Sequence, residues 1–327
     1  MRIEIPEFSL VALVGATSSG KSTFAAKHFL PTEVLSSDVC RGIVSDDCND
    51  QSATEDAFDL LYYAAQKRLS RMKTTVIDAT NVQQSARKRI LSLAREQHVH
   101  SVAIVLNQPE KTLLERNAAD PGRGYPERVI RQHVQQLRKS IRSLKKEGFR
   151  FVYVLDSQEA IDQAEVIRTK LWNNKKELHG PFDIIGDVHG CLAELKLLLD
   201  QLGYVPDPDG IYVHPQGRMA AFLGDLCDRG AENTGVLRLV MGMVSKGTAL
   251  AVPGNHDVKL LKYLQGRRVQ LNHGLEITVA QLDGESDAFR SQVQQFLEGL
   301  VSHYVLDEGK LVIAHAGIKE KYIGRGS

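Results

Sequence analysis

The sequence has few cysteines, almost no net charge and only short apolar runs. Four cysteines occur in 327 residues, and none belongs to a C-x-x-C pair. We therefore expect reduced thiols in a cytoplasmic protein rather than a disulfide framework. The net charge of +1 excludes a polycation, so any binding of nucleic acid would need a local basic surface.

The first apolar run begins at Leu10, and it is preceded by one Arg, two Glu and a Pro. It is too short to span a bilayer, and its context is not that of a signal peptide, so no membrane association is expected. A hydrophobic fraction of 43% and a charged fraction of 25% are typical of a globular protein. The length suggests two domains, each large enough to bury a core.

Short apolar runs alternate with amphipathic stretches in the first half. Helical spacing of apolar residues from Phe58 to Met72 and from Val129 to Leu144 indicates helices between the strands. Strands that alternate with helices predict an α/β fold with a mostly parallel sheet covered on both faces. The predicted strands are Leu10–Val14, Val34–Ser36, Thr75–Ile77, Val102–Leu106 and Phe151–Leu155.

The segment 173–181 is polar apart from Leu178 and ends in Gly-Pro, so it is expected to be a linker. This gives a first domain at 1–172 and a second at 182–327. In the second, each predicted strand runs directly into a cluster of Gly, Asp, His or Asn. Those strands are Phe182–Ile185, Met219–Leu223, Ala249–Val252 and Leu311–Ala314.

A phosphate-binding loop begins at Gly15. The residues GATSSGKS fit G-x-x-x-x-G-K-[ST], and the loop follows a predicted strand and opens a predicted helix, Ser22–Phe29. Its backbone N–H groups and the helix N-terminus would cradle the phosphates of an NTP. Lys21 is expected to reach the β and γ phosphates, and Ser22 to bind Mg²⁺. The residues expected to bind the nucleotide are Gly15, Ser18, Gly20, Lys21, Ser22 and Thr23.

Two acidic residues follow neighbouring strands of the same sheet. Asp38, with Arg41 one helical turn later, is placed to accept the proton of an attacking hydroxyl, although it fits a helix N-cap equally well. Asp78 ends the strand VID and suits either the Mg²⁺ shell or a turn cap. Both therefore have a functional and a purely structural interpretation.

A Gly- and Pro-rich loop between two predicted helices carries Arg116 and Arg123. Arginines on a loop that closes over a triphosphate neutralise charge on the transferring group, which raises the rate by about 10³–10⁵ where this has been measured. A solvated surface loop is the alternative. Arg128 lies inside the next helix and is not expected to take part.

Four clusters follow one another in the second half: GDVHG, GDLCDRG, GNHD and HAG. Carboxylate, imidazole and amide ligands together suit manganese, iron or zinc rather than calcium. Two such ions about 3.5–4 Å apart clamp a phosphate and activate a water. The expected ligands are Asp225 as the bridge, Asp187 and His189 for one ion, and Asn255 and His315 for the other.

Three further residues of these clusters are expected to act on the substrate. His256 is placed to protonate the leaving oxygen, and Asp228 to orient that imidazole. Arg229 is suited to hold the substrate phosphate by two hydrogen bonds.

The second half resembles the calcineurin-like metallophosphoesterases, on GDVHG, GDLCDRG and GNHD. The first half resembles the polynucleotide kinases, on GATSSGKST, SSDVCRG and the arginine loop. In this order the two are similar to the bacterial polynucleotide kinase-phosphatases of RNA repair.

The resemblance implies transfer of the γ-phosphate of ATP or another NTP to a 5′-OH end, with Asp38 as general base and Arg41, Arg116 and Arg123 in support. It also implies removal of 2′,3′-cyclic or 3′-phosphate with two divalent ions, manganese being expected. An RNA 2′-O-methyltransferase is the implied partner.

The chain departs from that pattern in two ways. It lacks a ligase module, and no His follows His315, whereas the superfamily places a last metal-binding His in a G-H-[TS] segment there. A C-terminally truncated second domain with weak phosphatase activity is therefore expected. The alternatives are a small-molecule kinase fused to a nucleotide or phosphoprotein phosphatase, and a non-catalytic scaffold.

Overall fold

A computed structural model describes residues 1–120 and 125–326. The chain forms two compact units. The first comprises Met1–Leu171 together with Arg325 and Gly326, and the second comprises Trp172–Gly324. No helix within the described residues combines the length and apolar composition that a membrane crossing requires.

The first unit is built from alternating strands and helices. Its strands are β1 (Arg2–Pro6), β2 (Ser9–Val14), β3 (Val34–Ser36), β4 (Thr75–Asp78), β5 (His100–Leu106), β6 (Phe151–Leu155) and β7 (Glu165–Thr169). Its helices are α1 (Lys21–His28), α2 (Ser37–Ser45), α3 (Thr54–Ser70), α4 (Gln84–Glu96), α5 (Glu110–Ala118), α6 (Glu127–Ser140), α7 (Leu144–Glu147) and α8 (Gln158–Asp162).

The central sheet of this unit is parallel, in the order β3-β4-β2-β5-β6. All of β2 is buried, and its side chains alternate between the two faces. Leu10, Ala12 and Val14 join a core with α3 and α4, while Val11 and Leu13 join a second core with α1. Burial on both faces explains the continuous apolar sequence of the strand, and the predicted doubly covered sheet is confirmed.

The second unit combines two sheets with a layer of helices. Its strands are β8 (Asn174–Lys175), β9 (Phe182–Ile185), β10 (Val205–Pro206), β11 (Tyr212–Val213), β12 (Met219–Phe222), β13 (Ala249–Ala251), β14 (His303–Leu306) and β15 (Leu311–Ala314). Its helices are α9 (Leu192–Gln201), α10 (Asn233–Lys246), α11 (Asn255–Leu264), α12 (Leu275–Asp283) and α13 (Asp287–Gly299).

The parallel sheet β13-β12-β9 lies between the helices and a mixed sheet, β15-β14-β8. Ala220 and Phe222 of β12 pack into the helical core. Ala221, on the opposite face, packs with Leu306 of β14 and Ile313 of β15. Alternation along one strand therefore holds the layers of an α/β sandwich together.

The segment 173–181, expected to be a linker, lies inside the second unit. Asn174 and Lys175 form β8 and pair with Val305 and Leu306 of β14, and Val305 N donates to Asn173 O at 2.9 Å. Main-chain pairing at a sheet edge needs no apolar pattern, so a polar sequence can form this strand.

The end of the described chain also differs from the expected boundary. Arg325 belongs to the first unit, where its guanidinium donates to the carbonyl oxygens of Gln97 at 2.6 Å and Ser70 at 3.0 Å. These bonds satisfy carbonyl oxygens at the C-terminal ends of α3 and α4. Amino-acid composition, on which the expected boundary was based, does not indicate such contacts.

Candidate active sites

The phosphate-binding loop joins β2 to α1. Gly20 is the N-cap residue of α1 and has φ of 89°, in the left-handed region that glycine adopts without strain. Lys21 is almost fully buried, and its Nζ donates to Gly15 O at 3.0 Å and Ala16 O at 2.8 Å. The ammonium is thus held within the loop, where a bound phosphate would compete with these carbonyls for it.

Ser22 and Asp78 meet at the mouth of the loop. The Ser22 hydroxyl donates to Asp78 Oδ2 at 2.8 Å, and Asp78 is the last residue of β4. A hydroxyl and a carboxylate in contact are the hard oxygen ligands that Mg²⁺ prefers. The residues present therefore fit the expected Mg²⁺.

Asp38 and Arg41 form an ion pair on α2. Arg41 Nη1 lies 2.7 Å from Asp38 Oδ1 and donates to Cys48 O at 2.9 Å. The Arg41 side chain is 8% exposed and that of Asp38 is 28% exposed. The N-cap residue of α2 is Ser36, so Asp38 does not hold the capping position that was its structural alternative. Its carboxylate is fixed yet accessible.

These side chains line one cleft of about 660 Å³ in the first unit, hereafter the kinase cleft. Arg116 lines it too, and a Cβ placed on Gly20 would lie 3.7 Å from Arg116 Nη1. The structure thus brings Arg116 to the phosphate-binding loop. Arg123 lies outside the described residues.

The cleft also contains residues that the sequence analysis did not select. His133 of α6 contacts the loop, with its Nδ1 3.3 Å from Thr17 Oγ1. Burial, together with the positive charge of Lys21, lowers the pKa of His133. A single histidine among the apolar positions of α6 gives no sequence signal. The other unselected lining residues include Gln51, Thr54, Phe58, Tyr125, Gln158 and Asp162.

In the second unit, six residues from three loops and the start of α11 meet in a carboxylate–histidine cluster: Asp187, His189, Asp225, Asn255, His256 and His315. They follow β9, β12, β13 and β15. Asp225 is buried at its centre. Ligating atoms of His189, Asp225 and His256 lie within 4.8 Å of one another, as do those of Asp187, Asp225 and His315. Asp225 is common to both groups, as a bridging ligand must be.

His189 has its tautomer set by the backbone. Its Nδ1 lies 3.0 Å from Cys227 O, so Nδ1 carries the proton and Nε2 keeps its lone pair. That Nε2 is buried without a hydrogen-bond partner in the described part of the chain, and it faces Asp225 Oδ2 at 3.8 Å. A buried lone pair beside a carboxylate fits a metal ligand.

His315 repeats this arrangement on the other side. Its Nδ1 lies 2.7 Å from Leu223 O, and its Nε2 lies 3.2 Å from Asn255 Oδ1 and 3.6 Å from Asp225 Oδ2. Asp187 Oδ1 lies 3.8 Å from His315 Nδ1, and Asp187 Oδ2 lies 3.9 Å from His189 Nε2. Asp187 thus lies near the lone pair of His189 Nε2, and it also groups with Asp225 and His315. Its expected place as a ligand of the ion of His189 stays a prediction. The donor set fits two divalent ions.

His256 is oriented by a buried carboxylate. Its Nδ1 lies 2.7 Å from Asp228 Oδ2, and Asp228 is fully buried. Thr278 of α12 donates its hydroxyl to Asp228 Oδ1 at 2.6 Å. His256 and Asp228, which were expected to act together, are thus in contact. Thr278 is a further partner that no sequence motif indicates. Arg229 is exposed beside them.

Gly254 lets two of the loops approach each other closely. A Cβ there would lie 2.1 Å from Asp225 Oδ1, so no other residue fits. Asp257, three residues on, accepts N–H bonds from Leu226 at 3.0 Å and Gly254 at 2.8 Å. Burial raises the pKa of Asp257 to about 6. Asp257 therefore holds the loop after β13 against the loop after β12.

Two family profiles match the chain. Residues 10–144 match the AAA domain, and residues 180–324 match the calcineurin-like phosphoesterases. The first matched segment contains the phosphate-binding loop, and the second contains the whole carboxylate–histidine cluster. The protein has a P-loop kinase-like domain followed by a calcineurin-like metallophosphoesterase domain.

Individual proteins are similar to parts of the chain. Bis(5′-nucleosyl)-tetraphosphatase PrpE [asymmetrical] of Halalkalibacterium halodurans is 52% identical over 147 residues, 44% of this chain and 59% of that protein. The protein of the same name from Bacillus subtilis is 44% identical over 148 residues, 44% of this chain and 60% of its own length. This chain thus spans about three fifths of these relatives.

Among solved structures, the structure of the Pnkp1/Rnl/Hen1 RNA repair complex is similar at 19% identity and a TM-score of 0.37, covering 77% of this chain and 81% of that chain.

Proposed function

We propose that the chain heals RNA ends. Its first unit would transfer the γ-phosphate of an NTP to a 5′-OH polynucleotide end, and its second would remove 2′,3′-cyclic or 3′-phosphate. The observation that carries the proposal is the accessible Asp38–Arg41 pair in the same cleft as Lys21 and the Ser22–Asp78 contact. A donor site and a base thus face one space, which is what transfer to a hydroxyl requires.

In the proposed kinase reaction, Asp38 accepts the proton of the attacking hydroxyl, and Arg41 fixes the carboxylate that does so. Lys21 and Arg116 offset the negative charge of the transferring phosphate. When bound by Ser22 and Asp78, Mg²⁺ would supply further neutralisation of the phosphates. Arg123, which lies outside the described residues, is expected to assist.

Asp38 provides the first test. With γ-labelled ATP, Mg²⁺ and a 5′-OH RNA oligonucleotide, Asp38→Ala and Asp38→Asn should lower the rate of label transfer by about 10²–10⁴, the usual contribution of a general base. Binding of ATP should be unchanged. The matched control is Asp56→Ala, which removes an exposed carboxylate of α3 that is not among the lining residues of the kinase cleft.

Several outcomes would contradict the kinase proposal. Label transfer that survives Asp38→Asn removes the assigned base. Equal transfer to free nucleosides or sugars favours a small-molecule kinase instead, and no transfer by the wild-type chain favours a scaffold.

In the phosphoesterase unit, Asp187, His189, Asp225, Asn255 and His315 would hold two divalent ions, with manganese as the proposed metal. When bound, such ions polarise the phosphate and activate a water. His256, held by Asp228, gives a proton to the leaving oxygen. The exposed guanidinium of Arg229 is suited to bind the substrate phosphate.

A second candidate for this unit is asymmetric hydrolysis of a bis(5′-nucleosyl) tetraphosphate, and the 52% identity to a protein of that name favours it. Asymmetric cleavage of diadenosine tetraphosphate yields ATP and AMP. Rates with Mn²⁺ on this compound and on an RNA bearing a 2′,3′-cyclic phosphate separate the candidates. Turnover of the tetraphosphate alone would contradict end healing by the second unit. It would also leave no support for the RNA 2′-O-methyltransferase partner that the family resemblance implies.

A further inference from the structure

Arg116 is anchored at the edge of the kinase cleft by an uncharged side chain. Its Nη2 donates to Gln158 Oε1 at 2.5 Å, while its Nη1 faces the phosphate-binding loop at Gly20. Gln158 is the first residue of α8 and itself lines the cleft. One bond thus directs the guanidinium of a long, flexible side chain towards the place where phosphates are expected.

Gln158 is in turn fixed from two sides. Gln108 Nε2 donates to the same Oε1 at 3.1 Å, and Gln158 Nε2 donates to Asp162 Oδ1 at 2.7 Å. The amide therefore presents its oxygen to Arg116 and its nitrogen to a carboxylate, the one orientation that satisfies all three partners. Gln108 is buried, so water does not readily replace its hydrogen bond to Gln158.

Gln108 and Gln158 lie just beyond the ends of two neighbouring strands of the central sheet. Gln108 follows β5 and Gln158 follows β6, and these strands are neighbours. One residue earlier in the first loop, Asn107 Nδ2 donates to Asp156 Oδ1 at 2.7 Å. Two side-chain hydrogen bonds thus connect the segments that follow β5 and β6. Arg116 is attached to these segments through its hydrogen bond to Gln158.

We infer that Gln158 is a positioning residue that holds Arg116 over the phosphate-binding loop for γ-phosphate transfer; this rests on the proposed kinase function. A neutral acceptor suits the task, because a carboxylate in its place would offset the charge that Arg116 brings to the phosphate. Gln158 acts through Arg116 and needs no contact with the substrate.

A double-mutant cycle tests the inference on the full chain. Gln158→Ala should lower kcat for phosphate transfer by about 10²-fold, the usual effect of misplacing a positioned group by an ångström, while KM for ATP changes little. Gln158→Met, which keeps the length of the side chain, should do the same. In an Arg116→Ala background, neither change should reduce kcat further. Gln163→Ala, an exposed glutamine at the C-cap of α8, is the control.

The outcomes separate the two proposals. Additive losses in the cycle, or a Gln158→Met variant with wild-type kcat, overturn the role of Gln158. The cycle is also run on ATP hydrolysis, with water as the acceptor. A chain that hydrolyses ATP but labels no 5′-OH RNA overturns the polynucleotide proposal and still measures the coupling; a chain that does neither overturns both.

Discussion

At the scale of single residues, the second site depends on what holds each histidine. Asp228 is fully buried, binds His256 Nδ1 at 2.7 Å and receives the Thr278 hydroxyl. Asp228→Asn keeps the shape of the side chain but replaces the carboxylate that contacts His256 Nδ1 with an amide. We expect kcat for phosphoester hydrolysis to fall by about 10²–10⁴, the range for general acid catalysis, with Mn²⁺ affinity retained. Steady-state kinetics and calorimetric titration of Mn²⁺ measure the two effects.

Thr278→Val supplies the graded control for this prediction. It removes one hydrogen bond to Asp228 without touching His256, so its loss of kcat should be smaller. If Asp228→Asn weakened Mn²⁺ binding as much as it slowed turnover, Asp228 would be supporting the ligands rather than the proton donor.

The site residues that could be predicted from the sequence are those that belong to continuous motifs. Lys21 and Asp225 stand in motifs that the structure brings to the kinase cleft and the carboxylate–histidine cluster. Thr278 lies 50 residues from Asp228 and reaches it only through the packing of α12. Gln158 and His133 lie on helices, where glutamine and histidine are common and indicate no function by themselves. Long-range contacts of this kind leave no local pattern to read.

At the scale of elements, a buried ion pair ties α4 to α7. Arg87 is fully buried and makes two bonds of 2.8 Å to Glu147, whose side chain is 6% exposed. Glu147→Gln leaves the Arg87 charge buried and uncompensated, so we expect the first unit to lose about 3–5 kcal/mol. Urea unfolding of the full chain measures this loss. The transition of the first unit is identified as the one that shifts to higher urea concentration when ATP is added. Asp59→Ala breaks the exposed Arg89 pair of α4 and should cost under about 1 kcal/mol.

The stability that the Arg87–Glu147 pair gives to the first unit should depend on pH. Burial acts to raise the pKa of Glu147, but hydrogen bonds from Arg87 and Ser143 outweigh it and leave the pKa below its ordinary 4.5. The stabilisation is therefore complete above pH 4.5 and is lost as the pH falls through the lowered pKa. The difference between wild type and Glu147→Gln should shrink in that acid range. A constant difference would show that the pair does not titrate as described.

Elements with a dense apolar pattern were predictable, and short edge strands were not. The predicted strand Phe151–Leu155 coincides with β6. β8 is a polar pair of residues that becomes a strand only because β14 lies beside it, and β1 is an alternating, charged segment paired with β7. Their stability comes from the partner strand, which local propensity does not encode.

At the scale of the whole molecule, each site is built within one unit. Every lining residue of the kinase cleft lies between Thr17 and Asp162, and the carboxylate–histidine cluster lies between Asp187 and His315. Within the described part of the chain, no residue belongs to both sites, so the two chemistries should be separable. Asp225→Ala should abolish Mn²⁺-dependent hydrolysis and leave phosphate transfer to 5′-OH RNA within about twofold, since changes at sites with no shared partners act nearly additively.

The reciprocal variant completes this test. Asp38→Ala should lower phosphate transfer by about 10²–10⁴ while hydrolysis keeps its wild-type rate. In the wild-type chain after chelation, Mg²⁺ alone should restore transfer. Mg²⁺ is expected to serve Ser22 and Asp78 because it prefers oxygen ligands. The mixed set of carboxylates, an amide and the imidazoles of His189 and His315 suits a transition-metal ion better than Mg²⁺, and manganese is the ion proposed there. If either variant silenced both activities, the two sites would be coupled through the chain, and the assignment of one chemistry to each unit would fail.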